Sequence, residues 1–347
     1  MVRYAAPFLL LASIPIFFYI VSPIATLATV GLLLAGLIGS EFLSTRGPVQ
    51  MAKTTPLRHR LLLHAYIPLQ LGVTIWGIYI VGHVSIWGLG SLILSTGVIT
   101  GVFGMLAAHE MIHSRSRGER LLGAIMLSGM TYRHFRIAHV HGHHRWAATE
   151  LDSATARLGE SFYAFLPRTI AGQFREALYF ERKRVAGRRY AVLLNRVVQD
   201  VVLMVFLFCA ITLLSGWVGI AFFVIQSVVA IVVLEMFNYI AHYGLQRRRV
   251  SEKLWERLDD CHSWNSSNVI ANLMIFNMGR HSFHHRKPAK SYEGLQFLRH
   301  APELPFGYAA SILLALVPPF WRQVMDPRAR QFGELEHGDI LLPPISA

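Results

Sequence analysis

The sequence is poor in charge, in cysteine and in acidic residues relative to basic ones. Only 15% of its 347 residues are charged, whereas an ordinary soluble protein has roughly 25%. Its two cysteines, Cys209 and Cys261, lie far apart and outside any CxxC pattern, so neither a disulfide framework nor an iron–sulfur site is indicated. The low charge predicts that lipid surrounds much of the chain, and the lack of a cysteine site means that any redox electrons must come from elsewhere.

Long apolar runs predict membrane helices, because about 20 uncharged residues are enough to cross the hydrocarbon core. We predict an all-α integral membrane protein with about six transmembrane helices, at about 5–21, 24–43, 61–81, 85–108, 201–214 and 217–239. The first run resembles a signal peptide only superficially, since Arg3 makes a thin basic region and a second run follows Pro23 at once. Without repeats or linkers, residues 1–326 are predicted to form one domain, followed by a loose tail at 327–347.

The formal net charge of +13 could point to nucleic acid, anionic lipid or an acidic partner. The Lys and Arg residues lie between the apolar runs instead of forming a basic tail, which is typical of cytoplasmic loops and does not indicate nucleic acid. We therefore expect the loop with Arg46, Lys53, Arg58 and Arg60 to be cytoplasmic. Both termini, the stretch from 109 to 200 and the chain after 242 then fall on the same side, as a histidine-rich helical cap.

Histidine is concentrated in four segments at that predicted face. They read His109-Glu110-Met111-Ile112-His113, His139-Val140-His141-Gly142-His143-His144, Asn238-Tyr239-Ile240-Ala241-His242 and His281-Ser282-Phe283-His284-His285. Clustered polar residues where helices leave the bilayer are costly and tend to be functional. The segments supply nine candidate metal ligands: His109, His113, His139, His143, His144, His242, His281, His284 and His285. The more isolated His59, His64, His83, His300 and His337 are expected to be structural or solvated.

Residues four apart share one side of a helix, so three pairs could each grip one metal: His109 with His113, His139 with His143, and His281 with His285. Nine ligands exceed what one ion can use, which argues for two. Neutral imidazole suits Fe, Zn, Cu and Ni alike, so ligand type does not name the metal. One alternative is a zinc protease, because residues 109–113 match HExxH with Glu110 as the general base.

With these motifs in view, the sequence resembles the membrane alkane hydroxylases (alkane 1-monooxygenases), relatives of xylene monooxygenase in the fatty-acid desaturase superfamily. The resemblance runs from about residue 60 to 310 and also includes HSWNS at 262–266 and RHSFHH at 280–285. The segment NYIAHYGL at 238–245 is the most specific, since it separates these hydroxylases from ordinary desaturases.

The resemblance implies a six-helix fold, a non-haem di-iron centre held by the nine histidines, and O2 as co-substrate. It also implies that rubredoxin or ferredoxin, with its NAD(P)H reductase, supplies electrons for hydroxylating an apolar alkane or alkyl-aromatic. The expected location is a bacterial cytoplasmic membrane, with the active site on the cytoplasmic side and lipid around the helices. A desaturase-like lipid oxidase using the same ligands stays open as an alternative.

The sequence departs from the family pattern at Ala138 and Ala241, where the hydroxylases usually have Glu, and at Asn268, near which histidine is common. Such acids would orient the imidazole rings and raise their basicity. Other polar residues near the histidines could take over this role, although the acids could equally pair with arginine. These residues are Glu110, Asp152, Glu235, Asp259, Asp260 and Asn265.

Two further sets of residues suggest where substrate and partner bind. Small and aromatic residues could line a substrate channel, although several could instead simply pack helices: Gly101, Phe103, Gly104, Phe222, Phe223 and Phe237. The densest basic cluster could attract an acidic electron carrier or, equally, anionic lipid: Arg182, Lys183, Arg184, Arg188 and Arg189.

Overall fold

The computed structural model describes residues 4–45, 47, 57–252 and 254–335, and these are largely helical. Apolar helices open the chain: α1 (Ala6–Ile20), α2 (Ala28–Leu43), α3 (Leu57–Ile80), α4 (Ile86–Ile99) and α5 (Met105–Ile112). A π-helical stretch, Thr100–Gly104, joins α4 to α5. The polar part that follows contains α6 (Arg117–Ser128), α7 (Phe135–Ile137), α8 (His144–Trp146), α9 (Phe162–Val185) and α10 (Ala191–Leu194).

The second half begins with the 46-residue helix α11 (Arg196–Ala241), which returns through the apolar region. A small antiparallel hairpin follows, with β1 (Arg249–Ser251) paired to β2 (Leu254–Trp255). The remaining helices are α12 (Val269–Met274), α13 (His281–Arg286), α14 (Tyr308–Ala315) and α15 (Pro318–Leu335).

Four helices in the described residues are long and apolar enough to cross a membrane, which confirms the predicted fold class. They span Ile24–Leu43, His59–His83, Ile86–Ile112 and Arg196–Ala241, while Ala6–Ile20 is apolar but shorter. The last two predicted spans lie within the single helix α11, whose backbone breaks at Gly216. Six crossings therefore stay a prediction. Of the predicted cytoplasmic loop, Arg46 and Lys53 lie outside the described residues.

Close packing of α4 and the adjoining π-helical stretch against α11 forms the centre of the membrane part. A Cβ on Gly97 would lie 2.8 Å from the Gln226 carbonyl oxygen, and one on Gly101 would lie 2.7 Å from that of Ala230. Small residues let helices approach in this way where lipid gives no hydrophobic drive for association. The contact brings the ends of α5 and α11, which carry histidine, to the same side of the molecule.

The chain after Pro327 differs from the loose tail predicted for 327–347. Helix α15 continues through Pro327 to Leu335, because Trp321, Met325 and Ala329 are spaced four residues apart and are all buried in one apolar cluster. The burial of that stripe holds the helix together past the proline. Residues 336–347 lie outside the described part of the chain.

Candidate metal centre

The four histidine segments meet where the apolar helices end. His109 lies in the last turn of α5 and His113 directly follows that helix, while His242 directly follows α11. The second segment forms a π-helix, Ala138–His143, that leads into α8. The last segment is helix α13. Long-range packing therefore brings together side chains that are up to 176 residues apart.

Five of the histidines converge on one point, and we call this set the five-histidine cluster: His109, His113, His139, His144 and His284. The Nε2 atom of His139 lies 2.8 Å from that of His109 and 3.1 Å from those of His113 and His144. His284 Nε2 lies 3.2 Å from His144 Nε2. Neutral imidazoles present lone pairs to a shared ion at such separations.

The other four form a second set, the four-histidine cluster: His143, His242, His281 and His285. The Nε2 atoms of His242, His281 and His285 lie 3.0 to 3.1 Å apart. All four side chains are buried, whereas His113 and His144 of the five-histidine cluster are only half-buried. The clusters adjoin, because neighbours in sequence divide between them: His284 belongs to one and His285 to the other.

The spacing rule holds for two of the three predicted pairs and fails for the third. His109 and His113 share a cluster, as do His281 and His285, but His139 and His143 are in different clusters. The exception falls in the π-helix, where hydrogen bonds join residues five apart and the regular α-helical spacing is interrupted. His139 shares its cluster with His144 and not with His143.

Hydrogen bonds at Nδ1 orient some of these rings. His143 Nδ1 lies 2.9 Å from Asp152 Oδ2, and both side chains are buried. Burial alone would raise the pKa of the Asp152 carboxyl, but the His143 ring and the Thr155 hydroxyl hold it below its ordinary value. His242 Nδ1 faces the His262 carbonyl oxygen at 3.3 Å. Partners of this kind fix which nitrogen is free to bind metal.

Two other predicted orienting groups act at a distance from the rings. Asn265 Oδ1 accepts a hydrogen bond from the Ser282 backbone N–H at 3.0 Å, and so anchors the first turn of α13 with its three histidines. Buried Glu235 accepts hydrogen bonds from Tyr132, Gln173 and other neighbours. It thus ties α11 to α9 and to the chain before α7.

The remaining predicted acids contact other groups. Glu110 accepts from the Tyr292 backbone N–H at 3.1 Å, and Asp259 accepts from the N–H of Asp260 at 2.7 Å. Asp260 lies 3.0 Å from Arg286, the arginine pairing considered as its alternative role.

Where the family usually has two Glu residues, Ala138 and Ala241 are fully buried in apolar surroundings. A different acid, Glu176 of α9, lies beside the π-helix, its Oε2 2.8 Å from where a Cβ on Gly142 would stand. Burial raises the pKa of Glu176 to about 7, against hydrogen bonds from Ser153 that lower it. Sequence reasoning missed Glu176 because it lies more than thirty residues from the nearest histidine motif.

An apolar cavity leads to the histidines. Its wall includes Leu37 of α2, Leu106 of α5, Phe237 of α11, Ile312 of α14, and Ile275, which directly follows α12. Three histidines complete the lining: His109 and His139 of the five-histidine cluster and His281 of the four-histidine cluster. A hydrophobic molecule in this cavity would therefore contact both clusters.

Of the predicted channel residues, Gly101 and Phe237 line the cavity, and the others do not. Gly104 faces Met126 and Thr100, so its small size serves helix packing. Phe103, Phe222 and Phe223 are buried in the membrane core. The sequence did not show which side of its helix each residue occupies.

The fold and the histidine site define a membrane metalloprotein. Residues 82–314 match the model of the fatty acid desaturase family, to which the chain belongs. The chain is 38% identical to an alkane 1-monooxygenase 2 of Pseudomonas aeruginosa over 279 residues, which cover 79% of this chain and 74% of that relative. It is 34% identical to an alkane 1-monooxygenase of Ectopseudomonas oleovorans over 300 residues, 85% of this chain and 75% of that relative. Within the desaturase family, the chain belongs with the alkane 1-monooxygenases.

A more distant relative is named as a component of another monooxygenase. The hydroxylase component of a xylene/toluene monooxygenase from Pseudomonas putida is 27% identical over 245 residues, 70% of this chain and 65% of that relative.

Proposed function

We propose that this protein is a membrane-bound di-iron monooxygenase that hydroxylates a terminal carbon or methyl group of an alkane or alkyl-aromatic. In the overall reaction, O2, two electrons and two protons convert a C–H bond into C–OH and water. The observation that carries the proposal is the apolar cavity lined by histidines of both clusters. The names of the relatives support the same reaction class.

The donor set fits two metal ions of higher coordination number. With metal–nitrogen bonds of about 2.1 Å, neighbouring ligands at right angles lie about 3.0 Å apart, whereas tetrahedral ligands lie about 3.4 Å apart. Several pairs of Nε2 atoms lie 2.8 to 3.2 Å apart, closer to the first value, and all ligand atoms of a cluster lie within 4.8 Å of one another. Iron bound there would supply the redox chemistry that activates O2. The chain itself contributes ligation, a dry cavity and a fixed position for the substrate carbon.

The wall of the cavity is built to hold an apolar chain in place. Phe237 stacks on Tyr308 with ring centroids 4.4 Å apart, and the Tyr308 hydroxyl donates to the Trp264 carbonyl oxygen at 2.8 Å. The Tyr308 hydroxyl therefore already has a hydrogen-bond acceptor and requires none from the substrate. A wall that is mostly apolar, with its tyrosine hydroxyl already paired, suits a molecule without polar groups.

The electrons would come from rubredoxin or ferredoxin with its reductase, and the histidines would face the cytoplasm of a bacterial inner membrane. The positive-inside pattern supports this orientation. Two alternatives are less favoured. A zinc protease would use His109, His113 and Glu110 and leave the other histidines without a role, whereas all nine converge. A desaturase would share the ligands and differ in its product.

Metal analysis combined with product identification tests the proposal. Purified protein should contain two irons per chain and convert octane or a xylene to its alcohol with a supplied carrier and reductase. His281→Ala should lose iron and activity, while the exposed His300→Ala serves as control and should keep both. Zinc alone would overturn the proposal, and an alkene product would favour the desaturase alternative.

A further inference from the structure

A basic groove runs over the polar side of the molecule, between the chain after α5, helix α6, helix α9 and the start of α11. Its cationic lining consists of Arg115, Arg120, Arg133, Arg136, Arg184 and Arg196. The lining also includes His113 of the five-histidine cluster, together with Pro288 and Ala289. The groove thus connects a charged surface directly to one of the candidate metal ligands.

Acidic neighbours neutralise only part of this charge. Asp200 pairs with Arg133 and Arg136, and Glu181 pairs with Arg184 and lies 4.0 Å from Arg196. Arg115 and Arg120 have no carboxylate partner among the residues that the structure describes. Arg120 instead donates to the carbonyl oxygens of Ser114 and Arg115, both at 2.8 Å. Six lining arginines against these two carboxylate partners leave an excess of positive charge along the groove.

His113 is also the histidine through which an electron could pass from this surface to the five-histidine cluster. Its ring is half-buried, while the four-histidine cluster is buried throughout. Its Nε2 lies 3.1 Å from those of His139 and His144. The His113 ring therefore lies between the groove and the other four rings of the five-histidine cluster.

We infer that this basic groove is the docking surface for a small acidic protein that carries one electron. The inference rests on the proposed function and names where its electrons enter. In each encounter the reduced carrier would lose one electron to iron held by the histidine clusters, so two encounters would supply the two electrons of one turnover. Weak redox contacts of this kind rely on electrostatic steering more than on buried area.

Of the basic cluster singled out from the sequence, Arg184 lines the groove, and the other four residues have a different setting. Arg182 and Lys183 lie on a shallow depression of α9 that includes no histidine. Arg188 and Arg189 are followed by the exposed apolar residues Tyr190, Val192 and Leu193, just before the membrane helix α11. Cations beside exposed apolar side chains at a membrane helix end suit lipid headgroups. That pair therefore provides a matched control.

The test compares charge reversal in the groove and in the control pair, using the full-length iron-loaded enzyme. Reduced rubredoxin of net negative charge is mixed with the enzyme in neutral detergent, and its oxidation is followed by stopped flow at several salt concentrations. Arg115→Glu with Arg120→Glu should slow the second-order rate at low salt by about tenfold or more and remove most of its salt dependence. Arg188→Glu with Arg189→Glu should change the rate less than about twofold.

Two measurements keep the result interpretable. Iron content should be unchanged in the groove variants. If the double variant folds poorly, the milder Arg115→Gln replaces it and should slow rubredoxin oxidation by a smaller factor. Dithionite with methyl viologen, which needs no docking surface, should support product formation equally in all variants. If no enzyme forms product even with this chemical reductant, the proposed function itself fails.

Other outcomes overturn the docking inference alone. An unchanged rubredoxin rate in the groove variants would do so, and so would a loss confined to the control pair. If the slower rate occurs in phosphatidylglycerol nanodiscs but not in neutral detergent, the groove arginines act through lipid headgroups and the inference is wrong.

Discussion

At the residue scale, the orientation of His143 depends on one acid. Asp152 Oδ2 lies 2.9 Å from its Nδ1, which leaves Nε2 for the four-histidine cluster. The carboxylate also accepts from the Thr155 hydroxyl at 2.6 Å, so its own position is fixed. Because the family acids are replaced by Ala138 and Ala241, this contact should carry more of the orienting role here.

Asp152→Asn should therefore lower metal affinity or activity by about 10- to 100-fold, since the amide keeps the size but loses the charge that favours the metal-binding tautomer. Metal per chain and product formation measure the effect. The exposed Glu150→Gln in the same loop is the control and should behave like the wild type. Equal metal content and activity in both variants would show that Asp152 has no orienting role.

Glu176 should make stability depend on pH. Burial raises its pKa from 4.5 to about 7, so the folded chain holds this proton more tightly than the unfolded chain does. Stability is therefore lost as pH rises from about 4.5 to about 7, by up to about 3 kcal/mol. Thermal unfolding in detergent at pH 5 and pH 8 should show a smaller decrease for Glu176→Gln than for the wild type. Identical pH dependence would exclude this assignment.

At the scale of an element, the π-helix Ala138–His143 decides how histidines divide between the clusters. In an α-helix each residue turns by about 100°, which places residues four apart on one side. In the π-helix this regular spacing is interrupted, and His139 shares its cluster with His144. This local change of pitch frees His143 for the four-histidine cluster.

Deleting Val140 should be better tolerated than adding a residue. The deletion leaves His139 and His144 four apart, which an α-helix again places on one side. An alanine inserted after Val140 separates them by six residues and rotates His144 away by about 100° per α-helical residue. We expect the deletion variant to keep about two metals per chain and the insertion variant to lose about one. Equal metal content would mean that pitch does not control the pairing.

Helix α14 offers a test of the cavity at the same scale. Ala309 is 6% exposed and lines the cavity, whereas Leu313, one turn later, is 45% exposed and does not. Ala309→Phe should reduce turnover of the longest accepted alkane by about 10- to 200-fold, because an added group must fit a closed wall. Leu313→Phe should keep the product profile. An unchanged profile in Ala309→Phe would place the substrate elsewhere.

At the scale of the whole molecule, one glycine allows α11 to return through the apolar region. Gly216 has φ 60° and ψ −156°, a backbone conformation that is essentially restricted to glycine. The break divides the 46-residue helix into two arms, which contain the two separately predicted spans 201–214 and 217–239. The second arm delivers His242 to the site.

Gly216→Ala should lower the free energy of unfolding by about 1 to 3 kcal/mol, because a Cβ strains that conformation. The melting temperature in detergent measures the loss. Gly82→Ala is the control, since that position has open space and no unusual φ, and it should change stability little. Equal melting temperatures would show that the backbone at Gly216 can relax at no cost.

Composition and spacing determined the class of this protein and the identity of its histidine set. Apolar runs identify membrane helices wherever they occur, because the thickness of the bilayer sets their length. The clustering of histidine, and the i, i+4 pairs His109 with His113 and His281 with His285, depend only on local helical geometry. These features could be read without knowing the fold.

Only the tertiary structure decided which side of its helix each residue occupies and which distant residues it contacts. The π-turn that separates His139 from His143 leaves no signal in the residue types, and neither does the approach of Glu176 to Gly142 from a distant helix. The same holds for the side of the helix that Gly104 occupies and for the burial that extends α15 past Pro327. Each results from packing against residues remote in sequence, whose placement local patterns do not encode.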